Sequence, residues 1–245
     1  MLENPFYDIA IFAFALGLLL FLVTAALVVL VAAIAWWEKR YVQCLRPLDD
    51  NEERPEIPPY IQGVNAMAAQ LEFVWEGFFV RTPEGMLRTI WSVFRSPDRA
   101  ILVIAGYSTV GFIRQKGTLV FSKMINDKYL ITTDETGEHD ISGRTERQLQ
   151  MNAAFPELLE CHQARLDATG GPAGSFGAES VLKDLERLAL EQAEALEQRD
   201  YAVFLDAGRT VWRYTLKGAV VLATIGFGKQ LWQAFAQGRT PKSNI

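Results

Sequence analysis

Between Ile9 and Trp37 the chain carries no charged side chain, and the run includes FALGLLLFLVTAALVVLVAAIA. A helix over these residues would extend roughly 43 Å at ~1.5 Å per residue, beyond the ~30 Å of a bilayer hydrocarbon core. A cleaved signal peptide would begin with a basic segment and a short apolar core. This chain begins MLENPFYD, with Glu3 and Asp8 and neither Lys nor Arg, and its apolar run is about twice the usual length for such a core. The sequence therefore predicts a retained transmembrane helix over 9–37, preceded by an extracytoplasmic N-terminus at 1–8.

The flanks orient that helix. No basic residue precedes it, whereas Lys39, Arg40 and Arg46 follow closely. By the positive-inside rule the N-terminus lies outside and the main part of the chain in the cytoplasm. Trp36, Trp37 and Tyr41 suit the headgroup layer on the cytoplasmic side, and Phe6 and Tyr7 the opposite layer. Together with Lys39 and Arg40 they form the expected membrane anchor, so the lipid bilayer is the first expected partner. The two cysteines, Cys44 and Cys161, are too few for a disulfide framework and fit a reducing compartment. A net charge of −5, with basic residues scattered among acids, argues against nucleic acid as a partner.

The 245 residues suit one compact domain with appendages. Residues 38–59 read as a juxtamembrane stretch and linker, because LRPLDDNEERPEIPP is too rich in proline and acid to bury apolar surface. A cytoplasmic α+β domain is expected over 60–168. It opens with a helix near 60–71, whose Ile61, Val64, Met67, Ala68 and Leu71 share one face. About six β-rich segments follow, from FVWEGFFVR to KYLITTD, with TPEG, SPD, a glycine pair around Val110 to Lys116, NDK and DETG as turn signals. Turns this short predict antiparallel pairing, with ILVIAG as a central strand and TLVFSKM and KYLITT as strands with one wet face. A polar loop, DISGRTER, leads to a helix beginning at Phe155, with Pro156 in its first turn and Asn152 as candidate cap. Both helices are expected on one face of the sheet. TGGPAGSFG, at 169–177, reads as a flexible tether. An amphipathic helix is expected over 178–208. Its Leu182, Leu185, Ala189, Gln192 and Leu196 make a short, weak heptad suited to packing on the chain's own domain, with self-association as the alternative.

Candidate chemistry is sparse. The densest titratable cluster is DETGEHD, where Asp134, Glu138, His139 and Asp140 are candidate ligands for a divalent cation. Their spacing matches neither an EF-hand loop nor a zincin pair, and a solvated turn is the competing reading. Cys161 and His162 are neighbours on a helix and point about 100° apart, which disfavours a nucleophile–base pair; a structural cysteine and a boundary histidine are expected. GYSTVG lacks the second glycine of a nucleophile elbow, and neither glycine-rich stretch has phosphate-loop spacing. No cofactor is expected. Phe73, Trp75, Phe78 and Phe79 crowd the first strand and form a candidate docking patch if one side stays uncovered.

Residues 209–237 contain YTLKGAVVLATIGFGKQLW. Trp212 and Trp232 lie roughly 30 Å apart on a helix, the separation of two interfacial belts, and Lys217 and Lys229 can snorkel. A second transmembrane helix, an interfacial helix and a soluble core helix all fit this segment, and 238–245 forms a tail. The expected function is a non-catalytic, cytoplasm-facing assembly subunit that interacts with other membrane-complex proteins or with itself. The alternatives are a membrane-associated metal-dependent hydrolase built on Asp134–Asp140 and a small-molecule or lipid-binding module.

Overall fold

The run ILVIAG sits where its composition requires, inside the largest sheet. The structure, a computed structural model, describes residues 5–43, 45–49, 57–81, 88–110, 113–134, 140–176 and 181–225. Five helices lie among the described residues: α1 (Pro5–Trp37), α2 (Pro59–Gln70), α3 (Phe155–Ala168), α4 (Val181–Glu197) and α5 (Leu216–Ile225). The strands are β1 (Arg40–Tyr41), β2 (Leu45–Pro47), β3 (Val74–Arg81), β4 (Arg88–Arg95), β5 (Leu102–Val110), β6 (Ile113–Lys123), β7 (Tyr129–Thr133), β8 (Thr145–Leu149), β9 (Ala202–Phe204) and β10 (Val211–Tyr214). The fold is α+β, with a seven-stranded sheet ordered β2-β3-β4-β5-β6-β7-β8 and a three-stranded sheet ordered β1-β10-β9.

The large sheet is an antiparallel meander from β2 to β7, closed by a parallel β7–β8 pair. It is therefore mixed, with seven strands rather than six antiparallel ones. The expected TVGFIRQ segment is not a strand of its own but divides between β5 and β6, and two further strands, missed at the edges, lie in segments expected as linker and loop. β2 pairs Leu45 with Arg81 and Pro47 with Phe79, and β8 pairs Thr145 with Tyr129 and Leu149 with Thr133.

Strand period two sorts the core into two layers. Val103 and Ala105, with Phe94 and Val120, pack against Ile61, Val64 and Ala68 of α2 and Phe155 and Leu158 of α3. Leu102 and Ile104, with Phe121 and Ile131, face Val181 and Leu188 of α4 instead. Helices thus cover both faces rather than one, and β7, expected to be half wet, is buried at every residue. The weak heptad of α4 packs on the chain's own sheet through Leu182, Leu185 and Leu188.

α3 begins at Phe155 with Pro156 in its first turn, a position where the missing N–H costs nothing. The expected Asn152 cap is replaced by Ala154, whose N–H donates to Glu157 at 3.0 Å; Asn152 instead takes a left-handed turn, with φ 61°. The glycine-rich stretch is not a free tether as far as Phe176. The Ala173 and Phe176 N–H groups donate to Lys123 and Arg99 carbonyls, and the Phe176 ring is buried in the α4-side core.

A separate core gathers at the C-terminal end of α1. There Ala32 and Ala35 are buried together with Val42, Trp212 and Tyr214 of the small sheet, Ala193 and Leu196 of α4, and Ala219, Leu222 and Ala223 of α5. Upstream, α1 is open to its surroundings: Leu19, Leu20 and Phe21 are exposed, and Ile11–Trp37 has a mean hydropathy of 3.1. α1 is thus long and apolar enough to cross a membrane.

Candidate functional site

The two sheets meet at a seam, and the seam is hollow. A cavity of about 300 Å³ opens between the α4-side face of the large sheet, α4 itself and the small sheet. Ile104, Phe121, Ile131, Leu185 and Leu188 give it an apolar wall, while Arg40, Trp91, Asp140, Arg147 and Gln192 bring polar groups to it. The Trp91 indole lies beside its cross-strand partner Gly106. Its Nε1–H is buried without an acceptor among the described residues.

Arg40 is positioned by aromatic rings. β1 pairs it with Trp212, and its guanidinium lies 5.5 Å from the Trp212 centroid and 4.9 Å from that of Tyr214, within cation–π range. Three further cations lie over rings around the end of α1: Arg213 over Trp36, Lys217 over Tyr201 and Arg209 over Phe204. Arg209 also ion-pairs with Glu197 of α4 at 2.8 Å, which ties the β9–β10 hairpin to that helix. The hairpin turn is held by Asp206, which accepts from the Val211 N–H at 2.7 Å and from Thr210. Those bonds hold its carboxyl below the usual carboxylate range, the Val211 N–H most of all.

β10 overturns the sequence expectation for 209–215. Trp212 is not the first belt of a helix but a buried strand residue, 8% exposed, because pairing with β1 and β9 satisfies its backbone and the seam takes its ring. The helix starts at Leu216. Thr215 caps it by accepting the Gly218 N–H at 3.1 Å, and Lys217 donates to the Arg199 carbonyl at 3.1 Å. Gly218 is needed for close approach, since an added Cβ would stand 2.0 Å from the Tyr201 carbonyl oxygen. Lys229 and Trp232 lie outside the described residues. Phe6 and Tyr7 belong to α1, with side chains outside the described set. Trp37 and Lys39 are exposed at its end.

Two members of the proposed metal cluster, Asp134 and Asp140, do not converge. Asp134 follows the last residue of β7 and accepts the Thr118 N–H at 2.6 Å and the Tyr60 hydroxyl at 3.1 Å. Asp140 accepts from the Ser142 N–H at 2.7 Å, the Thr145 N–H at 2.9 Å and the Thr145 hydroxyl at 2.7 Å. Thr145 pairs with Tyr129, the first residue of β7. Hence the two aspartates serve opposite ends of β7, roughly 16 Å apart at ~3.3 Å per residue. One cation requires oxygen ligands at about 2.0–2.6 Å, so Asp134 and Asp140 cannot share it. The parallel β7–β8 return, invisible in a seven-letter stretch, separates them. Glu138 and His139 lie outside the described residues, and no group of metal-ligating side chains gathers among those described.

His162 is not at a boundary. It is fully buried, with Nδ1 2.9 Å from Thr132 Oγ1 and Nε2 2.9 Å from Ser122 Oγ. Ser122 donates to the Ala100 carbonyl at 2.8 Å and Thr132 to Gln148 Oε1 at 3.0 Å, and the ring tautomer sets the direction of its own two bonds. Burial lowers the His162 pKa to about 4, so the ring is neutral and structural. Cys161 is a free, partly exposed thiol. Elsewhere in the α4-side core, burial and then the Glu191 carboxylate raise the pKa of the Tyr129 phenol.

The aromatic patch divides. Phe79 is buried in the α4-side core and Phe73 packs on the opposite layer. A bulge between Trp75 and Gly77 breaks the strand alternation and brings Trp75 and Phe78 into edge contact at 5.3 Å. Trp75 remains 53% exposed and Val74 51%. β2 reaches only from Phe79 onward, with one further bond from the Leu48 N–H to the Phe78 carbonyl. Among the described residues no strand pairs with Val74 to Gly77 on the β2 side.

Compared with family models, with curated proteins and with solved structures, the chain matches none.

Proposed function

We propose that this chain is a membrane-anchored, cytoplasm-facing assembly subunit that binds other proteins of a membrane complex and performs no catalysis. One observation carries the reading: the last turns of α1 belong to the core of the folded domain. Removing α1 as a signal sequence would take Ala32 and Ala35 out of that core and Trp36 away from Arg213. The exposed remainder of α1 needs an apolar environment, and a bilayer supplies it. Lys39 and Arg40 beyond α1, with no basic residue before it, favour a cytoplasmic domain. The cations stacked on Trp36 and Tyr201 suit a headgroup layer. The exposed side of α5, with Leu216, Val220 and Ile225, extends the same lipid-facing surface.

An anchor continuous with the domain fixes which way the β3 edge faces. Trp75, Phe78 and Val74 on that edge offer a flat aromatic contact of the kind enriched in interface cores. Purification of the full chain from native membranes in mild detergent should recover a stoichiometric protein partner. Trp75→Glu should lose that partner while staying folded and membrane-bound. Recovery of a lone monomer from the unsubstituted chain would overturn the reading.

A further inference from the structure

We propose that the corner where the end of α1 meets β10 binds the phosphate of an anionic phospholipid, held by Arg213 and Lys39 beside Trp36. The inference rests on the membrane-anchored reading and names the lipid that reading leaves open. Strand alternation builds the corner. Trp212 and Tyr214 turn one face of β10 into the core, so Val211 and Arg213 lie on the other, opposite Tyr41 and Val203. That outer face meets the last turn of α1, because the Arg213 guanidinium stands 5.9 Å from the centroid of the Trp36 ring. Lys39 is exposed immediately before β1, one residue from the position where Arg40 pairs with Trp212, and borders the same corner.

The positive charge at this corner is uncompensated. Glu38 ion-pairs with Arg40 at 3.3 Å and Asp200 with Lys217 at 3.8 Å, so the flanking carboxylates already have their cations. Lys39 and Arg213 pair with no carboxylate among the described residues, and the Arg213 Nε is buried without an acceptor among them. The Trp36 ring beside the guanidinium limits the freedom it would lose on binding. A guanidinium presents paired N–H donors that match phosphate. Apolar surface accompanies the charge: Trp37 at the end of α1, Val203 opposite Arg213 and Leu216 at the start of α5 are exposed. A soluble anion would answer the cations and leave these side chains in water. A phospholipid answers both, with its phosphate at the cations and its chains along the exposed length of α1.

The test places the full chain in nanodiscs of equal phosphatidylcholine and phosphatidylglycerol and reads the last lipid retained on the ejected chain by native mass spectrometry. At about fivefold for each basic residue near the surface, that lipid should be phosphatidylglycerol by roughly 25 to one. Arg213→Gln and Lys39→Gln should each cut the preference about fivefold, and the double variant should bring it to parity. Lys39 is exposed, so its variant reports even where the change at Arg213 disturbs folding. Lys128→Gln removes the same charge from the exposed turn between β6 and β7 and should leave the preference unchanged. Parity between the two lipids on an inserted, unsubstituted chain would overturn the inference and leave the anchored reading standing, whereas failure to enter the discs would overturn both. A preference that survives Lys39→Gln, or falls equally with Lys128→Gln, would overturn the assignment to this corner. Displacement of the lipid by excess glycerol phosphate would overturn it in favour of a soluble anion.

Discussion

Replacing His162 by glutamine should flatten the acid limb of the stability curve. The ring is enclosed between Ser122 and Thr132, and burial lowers its pKa from 6.5 to about 4. Between these values the unfolded chain binds a proton that the folded chain does not, so stability falls as pH falls. The contribution is fully present above about pH 6.5 and is lost progressively down to about pH 4, below which both states are protonated. At ~1.4 kcal/mol per pKa unit the whole difference is about 3 kcal/mol. For a chain of this size that is a fall of very roughly 6–12 °C in melting temperature. Thermal unfolding of the detergent-solubilised full chain, followed by near-ultraviolet circular dichroism from pH 7.5 to 4, measures it. His162→Gln should start about 1–3 kcal/mol less stable at pH 7.5, since one hydroxyl loses its ring partner. It should then lose less stability on acidification. Carboxylates titrate in both proteins and cancel in the comparison. An identical pH slope for the two proteins would show that His162 is not held neutral by burial.

Two further outcomes follow from the packing. Gly218→Ala places a Cβ 2.0 Å from the Tyr201 carbonyl oxygen, a backbone clash that relaxes only if α5 shifts. It should cost several kcal/mol, as overpacking does at the upper end of its ~1–3 kcal/mol range or beyond, and should expose the Tyr201–Thr215 segment to limited proteolysis before the large sheet. Asp134→Ala removes the acceptor of the Thr118 N–H and of the Tyr60 hydroxyl, and should destabilise the chain by about 1–3 kcal/mol with unchanged metal content. Loss of bound metal in that variant would contradict the structural role assigned to the carboxylate.

The helices and the central strand were legible because each repeats its pattern several times. α2, α3 and α4 show three- and four-residue apolar spacing over three or more turns, and the Pro156 start of α3 sits where the sequence puts it. ILVIAG is apolar on both sides because both faces of β5 are covered. The short strands were not legible. TERQL in β8 has no apolar alternation, since it is an edge strand held by its backbone to β7. VWRY in β10 is too short to show a period, and its aromatics imitate an interfacial belt until pairing with β1 and β9 is seen. The aspartate cluster misled for the opposite reason: residues adjacent in the chain are carried to opposite ends of β7 by the return to β8. Nothing local in the sequence marks the cavity, because its lining is assembled from β1, β2, β4 to β8, α4 and β10.

The central claim is that α1 is a permanent part of the domain and that the domain holds a protein partner at the membrane. Peptide mapping of the complex extracted from native membranes with mild detergent tests both halves at once. The account predicts that the chain keeps residues Ile11–Trp37 and leaves the membrane with a stoichiometric protein partner. A chain shortened at or within α1, or an intact chain with no partner, would contradict it.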